Sequence, residues 1–284
     1  MLTSLDTAVS GMQQFQTELN VIGNNIANAD TTGFKSARTD FEDTFSQTLY
    51  AASATGAPTS AQVGTGVATA SVTNVFTQGT PTATGVPSDL MISGNGFFVV
   101  QDPASGQQFV TRAGDFTVDT NGYLVTHNGY RVQGFSDAGL TARGDLQIDT
   151  TGMPATADPA ATLTGFQIDS TGRIKAMLSD GTSFVRGQVL LQNFKNPQAL
   201  LKSGENLYTG LEAAGPLGGA GSAQSAAPGS AGLGTIQAGT LELSNVDLTT
   251  EFAGLITSQR AFQANARVIT TSDEVLQELV NLKR

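Results

Sequence analysis

The sequence predicts an α+β fold, with N- and C-terminal helices paired as a coiled-coil-like inner domain and an antiparallel β-rich domain between them. Three observations carry that expectation. Apolar residues recur in alternating steps of three and four at both ends of the 284-residue chain, the spacing of one helical face. Residues 86 to about 210 alternate short β-forming runs with Asn-Gly, Thr-Gly and Asp-Gly pairs, the turn chemistry of antiparallel hairpins. The segment beside the first helix is polar and small, so the other apolar stripe, at the far end of the chain, is its economical partner.

The first helical pattern covers residues 3 to 28, with a seam at Leu2, Leu5, Val9, Met12, Gln16, Leu19, Gly23 and Ile26. Phe15 and Ile22 widen the stripe, and the helix spans about 39 Å at 1.5 Å per residue. It stops at Asn24, Asn25 and Asn28, followed by the turn-forming "ADTTGF". Gly33 there suits a turn with positive φ, and Phe34 is a packing anchor. Residues 31–85 read as an extended linker, polar around Phe41 and Phe45 and then small and turn-rich. Residues 86–244 form the expected outer β domain. "FTVDTNGYLVTHNGYRVQGF" holds two Asn-Gly turns, and residues 211–240 are a Gly-, Ala- and Ser-rich return segment. The second helix covers 248 to 282, about 52 Å long, with Asp247 as N-cap. Its seam runs Leu248, Phe252, Leu255, Gln259, Phe262, Ala266, Ile269, Asp273, Leu276 and Val280. The inner domain is thus expected from residues 1–30 and 245–284. Both stripes are too wide for one partner helix to cover, so Leu5, Val9, Met12, Leu19, Ile26, Leu255, Phe262, Ile269 and Leu276 are expected to pack against neighbouring copies as well.

Composition narrows the function. Lys plus Arg number 14 against 24 Asp plus Glu, a net charge of −10. Nucleic acid is therefore not an expected partner, because phosphate binding needs a basic footprint. No apolar run approaches the ~20 residues of a membrane span, and the N-terminus lacks the pattern of a cleaved secretory signal. The absence of Cys removes thiolate metal sites and Cys nucleophiles. No catalytic constellation and no cofactor or metal site emerge. Gly94-Asn95-Gly96 is followed by a strand pattern where a phosphate loop needs a helix. Asp119-Thr120-Asn121-Gly122 begins like a calcium loop, but Tyr130 stands where the closing Glu belongs. His127 has no partner set. Asp273 and Glu274 are adjacent on a helix and point about 100° apart. Gln259 and Arg260 read equally as polar contacts between subunits that set register or as a helix whose Arg snorkels. A glycan hydrolase would need a carboxylate pair across a groove, and a soluble adhesin would not need the terminal helices.

Four blocks carry a family resemblance: "VSGMQQFQTELNVIGNNIANADTTGFK" at 9–35, "ISGNGFFVV" at 92–100, "TRAGDFTVDTNGYLV" at 111–125, and "LELSNVDLTTEFAGLITSQRAFQANARVITTSDEVLQELVNL" at 241–282. They resemble the axial proteins of the bacterial flagellum, the hook protein and its basal-body rod relatives. The resemblance implies a non-enzymatic subunit that polymerises in many copies into a helical tube. Its terminal helices would line a central export channel and stay disordered until assembly. It also implies export through the flagellar type III apparatus, a cap protein during assembly, and rod and hook-junction proteins as axial neighbours. The ending "VLQELVNLKR" and "VIGNNIANADTTGFK" lean to the hook, outside the cell, where the small-residue segments would let β domains slide as the tube bends. The alternative is the distal rod, in the basal body. The segment Thr48–Gln62, longer than in the leanest hook proteins, bears on that choice, as do residues 136–165, too few for a large inserted outer domain.

Overall fold

Helix α1 (Leu2–Ala27) and helix α2 (Leu248–Leu282) bracket twenty short strands in the computed structural model, which describes residues 2–50, 61–155, 157–217 and 225–282. The chain divides into two units: Met1–Ala29, Ser36–Val75 and Val246–Arg284 form the first, and Asp30–Lys35 with Phe76–Asn245 the second. The architecture is α+β as the sequence predicts.

In the first unit the two helices accompany a two-stranded ribbon. Strand β1 (Ala37–Asp43) pairs antiparallel with β4 (Val67–Asn74), and β2 (Ser46–Tyr50) pairs with β3 (Ala61–Gly64). Backbone bonds from Thr44 to Gly66 and from Thr65 to Phe45 carry the ribbon across the gap between the two ladders. The stretch read as a linker therefore holds paired strands at 37–43, 46–50, 61–64 and 67–74. Among the described side chains its strands have no buried position, so they lack the clean in–out alternation by which a strand announces itself. Residues 51–60, the middle of the Thr48–Gln62 segment, lie outside the described residues.

The second unit holds β5 (Pro81–Ala83), β6 (Leu90–Ser93), β7 (Phe97–Gln101), β8 (Gln108–Thr111), β9 (Thr117–Val118), β10 (Leu124–Val125), β11 (Arg131–Phe135), β12 (Arg143–Asp145), β13 (Leu163–Ile168), β14 (Arg173–Leu178), β15 (Ser183–Val189), β16 (Leu191–Gln192), β17 (Leu201–Gly204), β18 (Leu207–Thr209), β19 (Thr235–Ala238) and β20 (Thr240–Glu242). Twelve of them form one antiparallel sheet, whose main path runs β13-β14-β15-β11-β7-β8-β18-β17. β19 pairs with β6, and β20 with β5. Strand β7 sits mid-sheet and is buried on both faces. Phe98 and Val100 enter the main core with Leu90, Ile92, Phe116, Leu124 and Ile174. Phe97 and Val99 enter a second core with Val110, Phe194, Leu200 and Tyr208. A continuous "FFVV" run is what a two-sided burial requires. Asn121-Gly122 turns β9 into β10, Asn128-Gly129 turns β10 into β11, and Asp180-Gly181 turns β14 into β15, as their turn chemistry predicts. Part of the return segment, residues 218–224, lies outside the described residues.

Candidate assembly interface

The helix pair of the first unit is antiparallel and its register can be read from four contacts. Asn25 Nδ2 donates to Glu251 Oε1 at 3.1 Å. A Cβ on Gly254 would lie 3.4 Å from Ile22 Cδ1. The Ser258 hydroxyl donates to Glu18 Oε2 at 2.8 Å, and a Cβ on Gly11 would lie 2.8 Å from Asn265 Nδ2. Moving down α1 through 25, 22, 18 and 11 matches moving up α2 through 251, 254, 258 and 265, equal steps of three, four and seven. The two hydrogen-bonded layers, Asn25–Glu251 and Glu18–Ser258, thus lie seven residues apart, polar contacts of the kind that specify register in coiled coils, while Gly254 and Gly11 allow close approach. The most buried positions of α1 are Ala8, Gly11, Ile22 and Asn25, one residue before the apolar seam drawn from the sequence. Leu5, Val9, Met12, Leu19 and Ile26 flank them half-buried, as Leu255, Phe262, Ile269 and Leu276 do in α2.

Burial within α2 is slight. Ser258 is its one buried residue among those described, and Phe252, Ile256, Val275, Leu279, Val280 and Leu282 are all at least 46% exposed. The register runs out before the helix does: Ala8 lies opposite 268, so the last two turns of α2 reach past the start of α1. Asp247 caps α2 as expected. Its carboxylate accepts from Thr249 N–H at 2.9 Å and from the Thr250 hydroxyl at 3.1 Å, and the Thr249 bond holds its pKa below the usual range.

Asn25 shows why α1 ends as it does. Its amide donates to Ala37 O at 2.8 Å and accepts from Ala37 N–H at 3.0 Å, mimicking a strand pair and fixing the start of β1. Burial raises the pKa of its other partner, Glu251. Asn28 acts locally, its amide donating to Asn24 O at 2.8 Å, and Asn24 is exposed.

The rest of the exit motif is a plug in the second unit. Gly33 takes φ +68° and donates its N–H to Glu242 O at 2.7 Å. A Cβ there would sit 2.4 Å from Ala113 N, so the position demands glycine for space as well as for conformation. Phe34 is buried, with Lys202 Nζ 4.4 Å from its ring centre. Lys35 is fully buried. Its ammonium donates to Glu242 Oε1 at 2.6 Å and to Thr77 O at 2.7 Å. Arg112, also buried, lies with Nη1 3.6 Å from Glu242 Oε2 and its guanidinium over the Phe97 ring. Burial pushes the Lys35 ammonium below the usual lysine range, with Glu242 pulling back.

Three stretches of the chain match known families. Residues 5–35 match the family described as "Flagella basal body rod protein", residues 91–176 the "Flagellar hook protein FlgE/F/G D1 domain", and residues 237–282 the "Flagellar basal body rod FlgEFG protein C-terminal". The flagellar basal-body rod protein FlgG of Bacillus subtilis is 40% identical over 288 residues, covering the whole of both chains. FlgG of Caulobacter vibrioides is 38% identical over 290 residues, covering 99% of this chain and all of its own. The flagellar hook protein FlgE of Borreliella burgdorferi is 28% identical over a 449-residue alignment spanning both chains. This chain belongs to the bacterial flagellar hook and basal-body rod protein family. It is an axial structural protein of the flagellum.

The buried charges gain meaning in that light. Lys35 closes the first family-matched stretch, Arg112 lies in the second and Glu242 in the third, so each stretch supplies one member of the cluster. Sequence reading missed all three, because 207 residues separate Lys35 from Glu242 and nothing local marks a burial. The polar features weighed for chemistry fall elsewhere. Gly94-Asn95-Gly96 joins β6 to β7, and His127 lies 3.3 Å from Asp115 on an exposed turn. Gln259, Arg260, Asp273 and Glu274 are exposed on α2. Among the described residues no group of three or more His, Asp or Glu is placed to hold a metal, and no helix is long and apolar enough to cross a membrane.

Proposed function

We propose that the protein is a structural subunit of the flagellar basal-body rod, in its distal part, polymerising with copies of itself into a tube that surrounds the export channel and carries motor torque. The observation that carries this reading is length. The chain covers rod relatives end to end at 40% and 38% identity. The hook relative aligns over 449 residues at 28%, against the 284 residues here. The hook expected from the sequence endings therefore gives way to its alternative. In this reading the unpartnered face of α2 and the half-buried flanks of α1 are covered by neighbouring copies, with rod and hook-junction proteins continuing the axis. The subunit reaches its place through the flagellar export apparatus and under a cap.

The test is immunogold electron microscopy of detergent-extracted basal bodies, with antibody to the second unit. Label on the straight shaft, reached once the rings are stripped, is the expected result. Label along the curved segment outside the outer ring would return the hook reading, and absence from both would sink the axial role.

A further inference from the structure

We propose that Lys35 is a mechanical staple that ties the chain passages between the two units, so that load crosses them together. This rests on the rod reading for the origin of the load. The chain passes between the units after Ala29, Lys35, Val75 and Asn245. The last two passages lie at one end of a short ladder inside the second unit. β5 and β20 are antiparallel, with Ala83 opposite Thr240 and Pro81 opposite Glu242, so the chain enters at the Pro81 end and leaves at the Glu242 end of the same pair. Tension on both passages opens such a ladder from that end, one pair at a time.

The Lys35 ammonium sits at the opening end and spans it. It holds Thr77 O on the entering passage and Glu242 Oε1 on the leaving one, while Lys35 itself ends the plug. Glu242 Oε1 also accepts from Gly79 N–H at 2.8 Å, and Asn245 Nδ2 donates to Thr77 Oγ1 at 2.9 Å. The passages are in such close contact that a Cβ on Gly79 would lie 1.9 Å from Leu243 O. A charge-assisted bond in a dry site is the strong kind, and here one cation joins three passages. As a contribution to resting stability a buried pair is poor value, since desolvation offsets much of its attraction. As a tie that must break before any ladder pair opens, it has a function that an apolar filling lacks.

The full chain contains no cysteine, so Asn74→Cys and Val246→Cys provide unique handles for pulling the two ladder passages apart in an optical trap. At equal force, Lys35→Met is expected to open about tenfold faster or more, the scale of one lost charge-assisted bond. Lys202→Met is the control. Its ammonium bonds Lys35 O at 2.9 Å and covers Phe34, but it does not span the ladder, so its opening rate stays within about twofold of the parent. Glu242→Gln keeps an acceptor for Gly79 and removes the charge, and is expected to open at an intermediate rate. Lifetimes for Lys35→Met indistinguishable from Lys202→Met would overturn the proposal. If Lys35→Met lacks a folded baseline, parental lifetimes for Glu242→Gln overturn it alone. The trap reads the staple in the purified chain, whereas gold labelling reads location, so either can fail without the other.

Discussion

Asn25 is the residue on which the end of α1 turns. It is 1% exposed and satisfies both backbone groups of Ala37 while meeting Glu251. Asn25→Ala removes two half-buried hydrogen bonds to the Ala37 backbone, each worth about 0.5–1.5 kcal/mol net, so the first unit is expected to lose stability by about 1–3 kcal/mol in urea titrations followed by far-UV circular dichroism. A loss under ~0.5 kcal/mol would mean that water replaces the amide. At Gly33, Ala must adopt a left-handed conformation and overlap the Ala113 backbone. Strain of that kind costs on the order of 3 kcal/mol or more together with the overlap, which chemical denaturation of the second unit would read. Asp247 titrates in the opposite sense from a buried acid. Its folded-state pKa is depressed by the Thr249 N–H, so its stabilisation is present above the ordinary carboxylate range and is lost as pH falls through the folded value. Protection of the Thr249 and Thr250 amides, taken relative to the intrinsic exchange rate at each pH, should therefore fall at the acid end of a titration, and Asp247→Asn, which keeps an acceptor without the charge, should flatten that fall.

At the scale of elements, the helix pair sets packing against intrinsic propensity at Gly254. Alanine there gains about 1 kcal/mol of helix propensity, and its Cβ meets Ile22 Cδ1 at 3.4 Å, the edge of ordinary contact. Leucine gains similar propensity but overfills a close approach, which costs about 1–3 kcal/mol. Gly254→Ala should thus raise the melting temperature of the helical signal and Gly254→Leu lower it; the same sign for both would show that the helices are not held at this distance. The same seam shows what was legible in the sequence. Both helices and their ends could be read, because apolar periodicity and Asp247 are local signals, and so could the hairpins at Asn121-Gly122 and Asn128-Gly129. The inward line of α1 could not. Periodicity follows large apolar residues, whereas the contact with α2 selects Ala8, Gly11 and Asn25 for size and hydrogen bonding. The β1–β4 ribbon was hidden because neither face is buried deeply enough to impose alternation. The Lys35 cluster was hidden because only folding brings its members together.

For the whole molecule, the distribution of burial separates what the chain stabilises alone from what it leaves to assembly. The second unit has a contiguous core running from Leu90 to Ile236. The helices of the first unit share a narrow seam rich in small and polar residues, and α2 presents Phe252, Ile256, Leu279 and Val280 to solvent. Few buried apolar contacts mean a low free energy of local opening. In the isolated chain, amides of residues 248–282 should therefore exchange far faster than those of β7 and β11, and assembly should slow them by at least about tenfold while leaving β7 and β11 unchanged. Variants separate this from simple helix fraying. Phe252→Asp and Leu279→Asp alter side chains that are 50% and 46% exposed, so exchange and melting of the isolated chain should stay near those of the parent. Both should block polymerisation, because a carboxylate on a face that becomes buried has no partner to offset its desolvation. Raised salt should not rescue them, since screening weakens repulsion between exposed charges but does not solvate a buried one. Polymerisation of either variant at parental rates would show that this face stays wet in the assembly, and that copies join through another surface.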